Sequence, residues 1–237
     1  MSLYEKRLRL RSSDVDMHRR LRTSVLFSLM QEAAIAHTEQ LGMGRDKTLD
    51  KGLLWVVTLQ TARIARMPEY DEEIVLRSWP GKTMHVLFPR YCAFDTADGE
   101  PLIRASALWT LVDEQTRRFV FPEKHGIVIE GAVTGDEIPI PSAPRALPCT
   151  EERDFTVPYS YVDLNGHMNN TRYFDLAEDC LPAPAEGRRL TAIQTEFVRE
   201  ARFGERFPLR WGQEGSRWYF TGGGEKTLFR MSFAYEE

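Results

Sequence analysis

The same order of predicted elements occurs twice in the 237-residue sequence. A strand-like segment comes first, followed by a helical segment and four more strand-like segments, and then the order starts again. Thr23 or Ser24 is predicted to cap the first helix, which extends to about Gln40, and the second, shorter helix is predicted from Arg172 to Glu178. A repeated unit of one helix and an antiparallel run of strands predicts an α+β architecture.

Strands are predicted where apolar residues alternate between turns that contain Gly or Pro. In the first unit they are Leu3–Arg11, Leu53–Ala65, Glu73–Trp79, His85–Asp95 and Pro101–Asp113. In the second unit they are Phe155–Tyr161, Thr191–Ala201, Phe207–Gly212, Ser216–Thr221 and Lys226–Tyr235. Residues 131–152 contain four prolines and little periodicity, which is typical of an extended linker. We therefore expect an N-terminal unit at residues 1–130 and a C-terminal unit at residues 153–237.

Individual residues support the repeat. Asp14 and Asp163 lie 149 positions apart, as do His18 and His167. The segment LQTARIAR, which starts at residue 59, is similar to IQTEFVRE, which starts at residue 193. The first copy has no carboxylate at the place of Glu200. These matches predict a full set of polar residues in the second unit and a degenerate set in the first.

The stretch YSYVDLNGHMNNTRYFDLAEDCLP, residues 159–182, brings several polar side chains together. Asp163, Asn165 and His167 occupy alternate positions, which would place them on one face of an extended segment. Asn170 or Thr171 would cap the short helix that follows, and the partial positive charge of a helix start suits an oxyanion. The pattern predicts a catalytic site, although an Asx-rich turn with a surface histidine explains it equally well.

Composition argues against several classes of protein. The net charge of -4 does not fit a general nucleic-acid binder, and no apolar run approaches the roughly 20 residues of a membrane span. Three cysteines without paired spacing and an N-terminus without a secretory signal predict a cytoplasmic location. The sequence lacks the zinc, dinucleotide, phosphate-loop and G-x-S-x-G motifs, so we expect no metal, no cofactor and no serine nucleophile.

Two motifs carry a resemblance to a known family. D-L-N-G-H-M-N-N-T-R-Y, residues 163–173, resembles the acyl-ACP thioesterase signature D-x-N-x-H-V-N-N-x-x-Y, with Met168 in place of the usual valine. E-F-V-R-E, residues 196–200, resembles the E-Y-R-R-E-C of the same family. The resemblance implies a double hotdog fold and hydrolysis of fatty acyl thioesters on acyl carrier protein. It also implies active-site roles for Asp163, Asn165, His167 and Glu200.

The sequence departs from the family pattern at one position. Ala201 stands where the family usually has a cysteine, so a Cys-His-Asn mechanism has no nucleophile there. The resemblance then implies that Glu200, together with His167, activates a water molecule. Asp163 would orient this pair, and Asn165 would hold the substrate carbonyl or the water.

The first predicted helix is the expected wall of an acyl pocket. Its candidate lining residues are Met30, Ala33, Ala34 and His37, although core packing explains these residues equally well. Acyl carrier protein, the implied partner, is acidic, and the densest basic cluster in the chain is Arg7, Arg9, Arg11, Arg19, Arg20 and Arg22. A solvated strand face explains this cluster as well as a docking site does. The two units would form an internal pseudo-dimer, and a further homodimer is left open.

Three alternatives remain at this level. A hotdog acyl-CoA thioesterase would use the same residues on a different carrier. A hotdog hydratase or dehydratase also uses Asp and His, but its histidine follows the aspartate by five positions with a proline between them, whereas His167 follows Asp163 by four with no proline between them. A non-catalytic acyl-binding module would keep the fold without turnover. The sequence does not specify the length, saturation or branching of the acyl chain.

Overall fold

The computed structural model describes residues 3–182 and 187–237, and two α-helices and ten β-strands lie within these ranges. The helices are α1 (Thr23–Gln40) and α2 (Arg172–Glu178). The strands are β1 (Tyr4–Arg9), β2 (Leu53–Ile64), β3 (Glu73–Pro80), β4 (Leu87–Thr96), β5 (Pro101–Asp113), β6 (Glu151–Thr156), β7 (Leu190–Phe197), β8 (Arg206–Glu214), β9 (Arg217–Gly223) and β10 (Thr227–Tyr235). The predicted α+β class is confirmed. No helix within the described ranges has both the length and the apolar character needed to span a membrane.

The ten strands form one antiparallel sheet in the order β1-β3-β4-β5-β2-β7-β10-β9-β8-β6. Its two halves meet at β2 and β7, where Gln60 lies opposite Thr195 and Thr61 lies opposite Gln194. These are the two QT pairs that the sequence comparison matched. From this junction outward, the strand order is the same on both sides, so a pseudo-two-fold axis passes between β2 and β7.

The helices meet on the same axis. Phe27 of α1 and Phe174 of α2 stack with their ring centroids 4.0 Å apart and an interplanar angle of 6°. Both rings are fully buried in the larger of two hydrophobic clusters, which lies between the helices and the sheet. Two large aromatic side chains of this kind contribute strongly to the core, because each removes a large apolar area from water.

In the structure, equivalent residues of the two units are separated by 147 positions, two fewer than the predicted 149. The backbone N–H of Asp16 donates to the carbonyl of Arg20, just as that of Asp163 donates to the carbonyl of His167. Asp16 is therefore equivalent to Asp163, which gives an offset of 147 that also relates Phe27 to Phe174. The predicted pairing of Asp14 with Asp163 was wrong because it matched residue types and not the turn that the chain forms.

The proline-rich segment after β5 covers the face of the sheet opposite to the helices. Ser106 points away from the core, because its neighbours on β5 point into it, and its hydroxyl donates to the carbonyl of Pro139 at 2.8 Å. The side-chain amide of Gln194 on β7 donates to the hydroxyl of Ser142 at 2.9 Å. The segment thus crosses from the first half of the sheet to the second. The next strand, β6, ends at Thr156 and not at Tyr161 as predicted, two residues before Pro158.

Candidate active site

The motif segment at residues 163–167 is a tight turn. The backbone N–H of Asp163 donates to the carbonyl of His167 at 3.0 Å, and the carboxylate Oδ1 of Asp163 accepts the N–H of Asn165 at 2.9 Å. Gly166 has φ +80°, a conformation that glycine adopts without steric cost. The predicted extended segment was therefore wrong: the aspartate side chain and the glycine favour a turn over a strand.

Asn169 connects this turn to α2. Its Nδ2 donates to Oδ2 of Asp163 at 3.2 Å, and its Oδ1 accepts both the N–H and the hydroxyl of Thr171, at 2.9 and 2.7 Å. The predicted side-chain cap of α2 was wrong for Thr171, which lies at the helix boundary and makes no capping hydrogen bond. Asn169 was not among the predicted site residues, although an Asn two residues before a Thr is a recognisable turn signal.

His167 and Glu200 form a close pair. Nε2 of His167 lies 3.3 Å from Oε1 of Glu200, and both side chains are partly buried. The backbone sets this distance, because the N–H of Met168 donates to the carbonyl of Ala201 at 2.7 Å. The chain that leaves β7 is thereby fixed alongside the turn. An imidazole and a carboxylate in this geometry can move a proton between them.

Arg117 from the first unit reaches the same carboxylate. Its Nη1 lies 3.0 Å from Oε1 of Glu200, the oxygen that also faces His167. Arg117 has φ +56° in the turn after β5, where Oδ1 of Asp113 accepts the N–H and the hydroxyl of Thr116, both at 2.7 Å. These hydrogen bonds lower the pKa of Asp113. No sequence signal indicated Arg117, because it lies 83 residues from its partner.

A cavity of about 510 Å³ lies next to the turn. Residues 163–165 and Asn169 line one part of it, and much of the remaining wall comes from α1 and from residues of β2, β4 and β5. The segment after α1, the end of β3 and Ile129 complete the lining. The aromatic part of its wall comes from Trp55, Phe88 and Trp109. The structure thus divides the four candidate residues: Asp163 and Asn165 line the cavity, whereas His167 and Glu200 pair with each other outside its lining.

The face of α1 that lines the cavity is not the predicted one. Of the four candidates, Ala34 lines the cavity, whereas Met30 and Ala33 are buried in the core, at 3% and 2% exposure. His37 is fully buried and has its Nδ1 2.7 Å from Nη1 of Arg90. The helix is rotated about its axis relative to the prediction, so a neighbouring row of its side chains lines the cavity. This row has the helical spacing of three or four residues and includes Gln31, Ala34, Ile35 and Thr38.

The equivalent place in the first unit has lost the polar pair. Arg20 is equivalent to His167 by the offset of the turn. The N–H of Leu21 donates to the carbonyl of Pro68, as that of Met168 donates to Ala201, so Met67 stands at the place of Glu200. A smaller cavity of about 210 Å³ lies there.

Solved structures with a similar fold include acyl-ACP thioesterases. A thioesterase from Bacteroides thetaiotaomicron superimposes with a TM-score of 0.86 at 20% identity, over 99% of this chain and 98% of the other. The 12:0-ACP thioesterase from Umbellularia californica gives a TM-score of 0.83 at 21% identity, over 99% and 97%. The double hotdog fold that the resemblance implied is confirmed, and it defines the class of protein.

Family models identify the family within this class. The acyl-ACP thioesterase N-terminal domain matches residues 1–124, and the acyl-ACP thioesterase C-terminal domain matches residues 146–217. The chain belongs to the acyl-ACP thioesterase family. It is similar to the chloroplastic palmitoyl-acyl carrier protein thioesterases of Cuphea hookeriana (24% identity) and Arabidopsis thaliana (23%), each over 84% of this chain and 52% of the relative. The chain therefore spans about half the length of the curated relatives it matches.

Proposed function

We propose that this protein hydrolyses the thioester of a fatty acyl group carried by acyl carrier protein. The observation that carries the proposal is the pair of His167 and Glu200, 3.3 Å apart, next to a cavity whose wall includes Asp163 and Asn165. Family membership and the names of the relatives support the same reaction. The length of the acyl chain does not follow from these names.

The proposed reaction uses water as the nucleophile. Glu200, held beside His167, accepts a proton from the water while the water oxygen bonds to the thioester carbon. The carbonyl oxygen becomes negative and is stabilised by the side-chain amide of Asn165. The C–S bond then breaks, and the thiolate of the carrier takes up the proton. Asp163 keeps the motif turn in position, because its Oδ1 accepts the N–H of Asn165 and its Oδ2 accepts a hydrogen bond from Asn169.

We also propose a division of roles between the two units. Residues 1–130 would supply most of the cavity through α1 and its strands, and residues 153–237 would supply the motif. Residues 131–152 would connect the two. This division follows from the cavity lining, in which the second unit contributes residues of the motif turn and Asn169.

The structure favours a solvated face for the basic cluster. Arg9 lies 3.3 Å from Asp71 and 3.9 Å from Glu73, and Arg7 lies 3.8 Å from Glu73. These acidic neighbours balance the charge of two of the six arginines in the cluster, which an acidic carrier protein would otherwise meet. Acyl carrier protein stays the proposed partner, and a cytoplasmic location stays a prediction from the sequence.

The test of the function is a hydrolysis assay that detects the released thiol. A series of acyl-ACPs of differing chain length is compared with the matching acyl-CoA esters. We expect kcat/KM to be higher for the ACP esters, which would separate the proposal from an acyl-CoA thioesterase. Release of no thiol from any ester, with acyl chains bound, would establish a binding module instead.

Replacing Arg117 by alanine should lower kcat about 10-fold, since one charge-assisted hydrogen bond to Glu200 is lost. The lysine variant, which keeps the charge, should recover part of the loss. Arg118→Ala is the matched control, because the neighbouring arginine is exposed and its side chain makes no contact with Glu200 that the described residues show. An Arg117→Ala variant with an unchanged kcat would contradict this role.

Alkylating the cysteines should leave the activity largely intact. Burial raises the pKa of Cys92 to about 11 and also raises the pKa of Cys149 and Cys180, so little thiolate forms at neutral pH. The experiment is iodoacetamide treatment followed by acyl-ACP hydrolysis, with mass spectrometry for an acyl-enzyme. Stoichiometric inactivation at Cys180 that substrate prevents would overturn the water mechanism.

A further inference from the structure

Arg90 on β4 is a buried guanidinium without a carboxylate partner among residues 3–182 and 187–237. The residue is only 5% exposed. Its Nη1 donates to Nδ1 of His37 at 2.7 Å, and its Nη2 donates to the carbonyl of Ala34 and to the hydroxyl of Thr38, both at 3.2 Å. Because arginine only donates, Nδ1 of His37 is the acceptor. All three acceptors are thus uncharged atoms.

Such a group is costly to bury. Charged side chains inside proteins are normally paired with an opposite charge, because hydrogen bonds to uncharged acceptors compensate only part of the lost hydration. Burial lowers the pKa of Arg90 to about 10, which still leaves the guanidinium protonated at neutral pH. No carboxylate of the described residues pairs with this positive charge, although Glu32 and Glu39 line the same cavity.

The place is the wall of the candidate acyl cavity. Arg90, Ala34 and Thr38 all line it, alongside the aromatic rings of the same wall. A plain alkyl chain that lies against this wall would bring no acceptor to the guanidinium. An oxygen atom on the acyl chain would bring one.

The pseudo-symmetry indicates how far this polar group lies from the motif turn. Glu178 on α2 is close enough to Asp16 for their charges to interact. The offset of 147 makes Gln31 on α1 equivalent to Glu178, and Asp163 equivalent to Asp16, so Gln31 should lie near Asp163 in the same way. Gln31 is therefore at the end of the cavity next to the turn of Asp163. Thr38 lies seven residues further along the helix, which corresponds to roughly 10 Å. The guanidinium thus faces the distal part of a bound acyl chain.

We propose that the acyl chains this cavity selects carry an oxygen distant from the thioester, a hydroxyl, a keto group or a carboxylate, and that Arg90 binds it. As a statement about a thioester substrate, the inference rests on the proposed function. It goes beyond that function because it names a chemical class within fatty acyl groups. Arg90 is then a specificity-determining residue, placed away from the reacting atoms.

The first test compares three esters of equal chain length: decanoyl-ACP, 10-hydroxydecanoyl-ACP and the half-thioester decanedioyl-ACP. We expect kcat/KM for at least one oxygenated ester to exceed that for decanoyl-ACP about 10-fold or more, because a buried charged donor discriminates strongly against a ligand that leaves it unpaired. The hydroxyl and carboxylate arms show which oxygen the guanidinium prefers. Equal kcat/KM values for the three esters would overturn the inference.

Variants then assign the preference to Arg90. Arg90→Met keeps an apolar side chain of similar length and should abolish the preference while decanoyl-ACP is still cleaved. Arg45→Met is the matched control, since Arg45 lines the same cavity but is exposed and paired with Asp50 at 2.9 Å. If Arg90→Met does not fold, Arg90→Lys, which keeps the charge but loses the planar fork, should show a reduced preference. An undiminished preference in the folded Arg90 variant would place the discrimination elsewhere and overturn the inference.

A binding measurement separates this inference from the function itself. Calorimetry with the N-methylamide of decanoic acid and the mono-N-methylamide of decanedioic acid needs no turnover, and only the second ligand carries a carboxylate. Tighter binding of the carboxylate-bearing amide in the wild type but not in Arg90→Met would support the inference even if no thioester were cleaved. Cleavage of all esters together with equal binding of both amides would leave the proposed function standing and remove the inference.

Discussion

Glu200→Gln should lower kcat for acyl-ACP hydrolysis at least ~100-fold, as expected for the loss of an acid-base group. Glutamine keeps the size of the side chain and can still accept a hydrogen bond from Arg117, but it cannot take a proton from water. His167→Ala should cost a similar factor, because it removes the group 3.3 Å from Oε1 of Glu200. The measurement is single-turnover hydrolysis, which separates chemistry from the release of products.

Glu196→Gln is the control for this prediction. Glu196 lies four residues earlier, has a similar partial exposure, and likewise pairs with an arginine, Arg230. Its replacement should leave kcat close to that of the wild type. The double variant of His167 and Glu200 should be hardly slower than either single variant, since residues that act as a unit are not additive. A Glu200→Gln enzyme with near wild-type turnover would show that another group activates the water.

Glu178→Gln should stabilise the protein at alkaline pH by up to about 3 kcal/mol, the equivalent of the pKa difference between the folded and unfolded states. Burial, together with the nearby charges of Asp175 and Asp16, raises the pKa of Glu178 to about 7 against the opposing effects of the Thr23 side chain and the charge of Arg22. Below the unfolded pKa, the carboxyl is protonated in both states. As pH rises through the folded pKa, the wild type must ionise a buried group and loses stability, which the glutamine variant does not.

Thermal or urea unfolding at pH 5 and pH 8 checks this expectation. The gain of Glu178→Gln over the wild type should be small at pH 5 and near its maximum at pH 8. Asp179→Asn, a change at the adjacent exposed carboxylate, should show no comparable pH dependence. A gain of equal size at both pH values would mean that packing and not ionisation causes the effect.

Local patterns in the sequence were enough for most of the fold. The end of α1 at Gln40 agrees with the prediction, and β5 runs from Pro101 to Asp113 as predicted. The predicted cap at Thr23 or Ser24 was wrong, because both residues lie inside α1 and Arg22 precedes it. Both elements have strong periodicity and clear ends, so short-range preferences specify them. The duplicated order of elements also followed from the sequence. Sequence reasoning failed at the turn of Asp163, where a side-chain hydrogen bond and Gly166 override the alternating pattern.

Contacts between distant parts of the chain were beyond the reach of the sequence. Arg117 approaches Glu200 because the turn after β5 lies beside the chain that leaves β7. The two residues are 83 positions apart, so no local sequence pattern could predict their contact. The face of α1 that lines the cavity likewise depends on how the helix rotates over the sheet. The pattern of residues 163–167 singled out three of the four candidate site residues, and Glu200 came from the family resemblance alone. Their roles stay predictions until the variants are measured.

The pseudo-two-fold axis between β2 and β7 has a consequence for how such a protein can change. In a dimer of two identical half-length chains, every substitution would appear in both copies of the motif turn. A change that improved one copy would therefore be imposed on the other copy as well. In this chain, the turn at Asp163 and the equivalent turn at Asp16 have separate sequences. Arg20 and Met67 can therefore stand where the other half has His167 and Glu200, while the shared strands keep both halves folded. The wall of the cavity and the turn that carries the motif are then free to be altered one at a time.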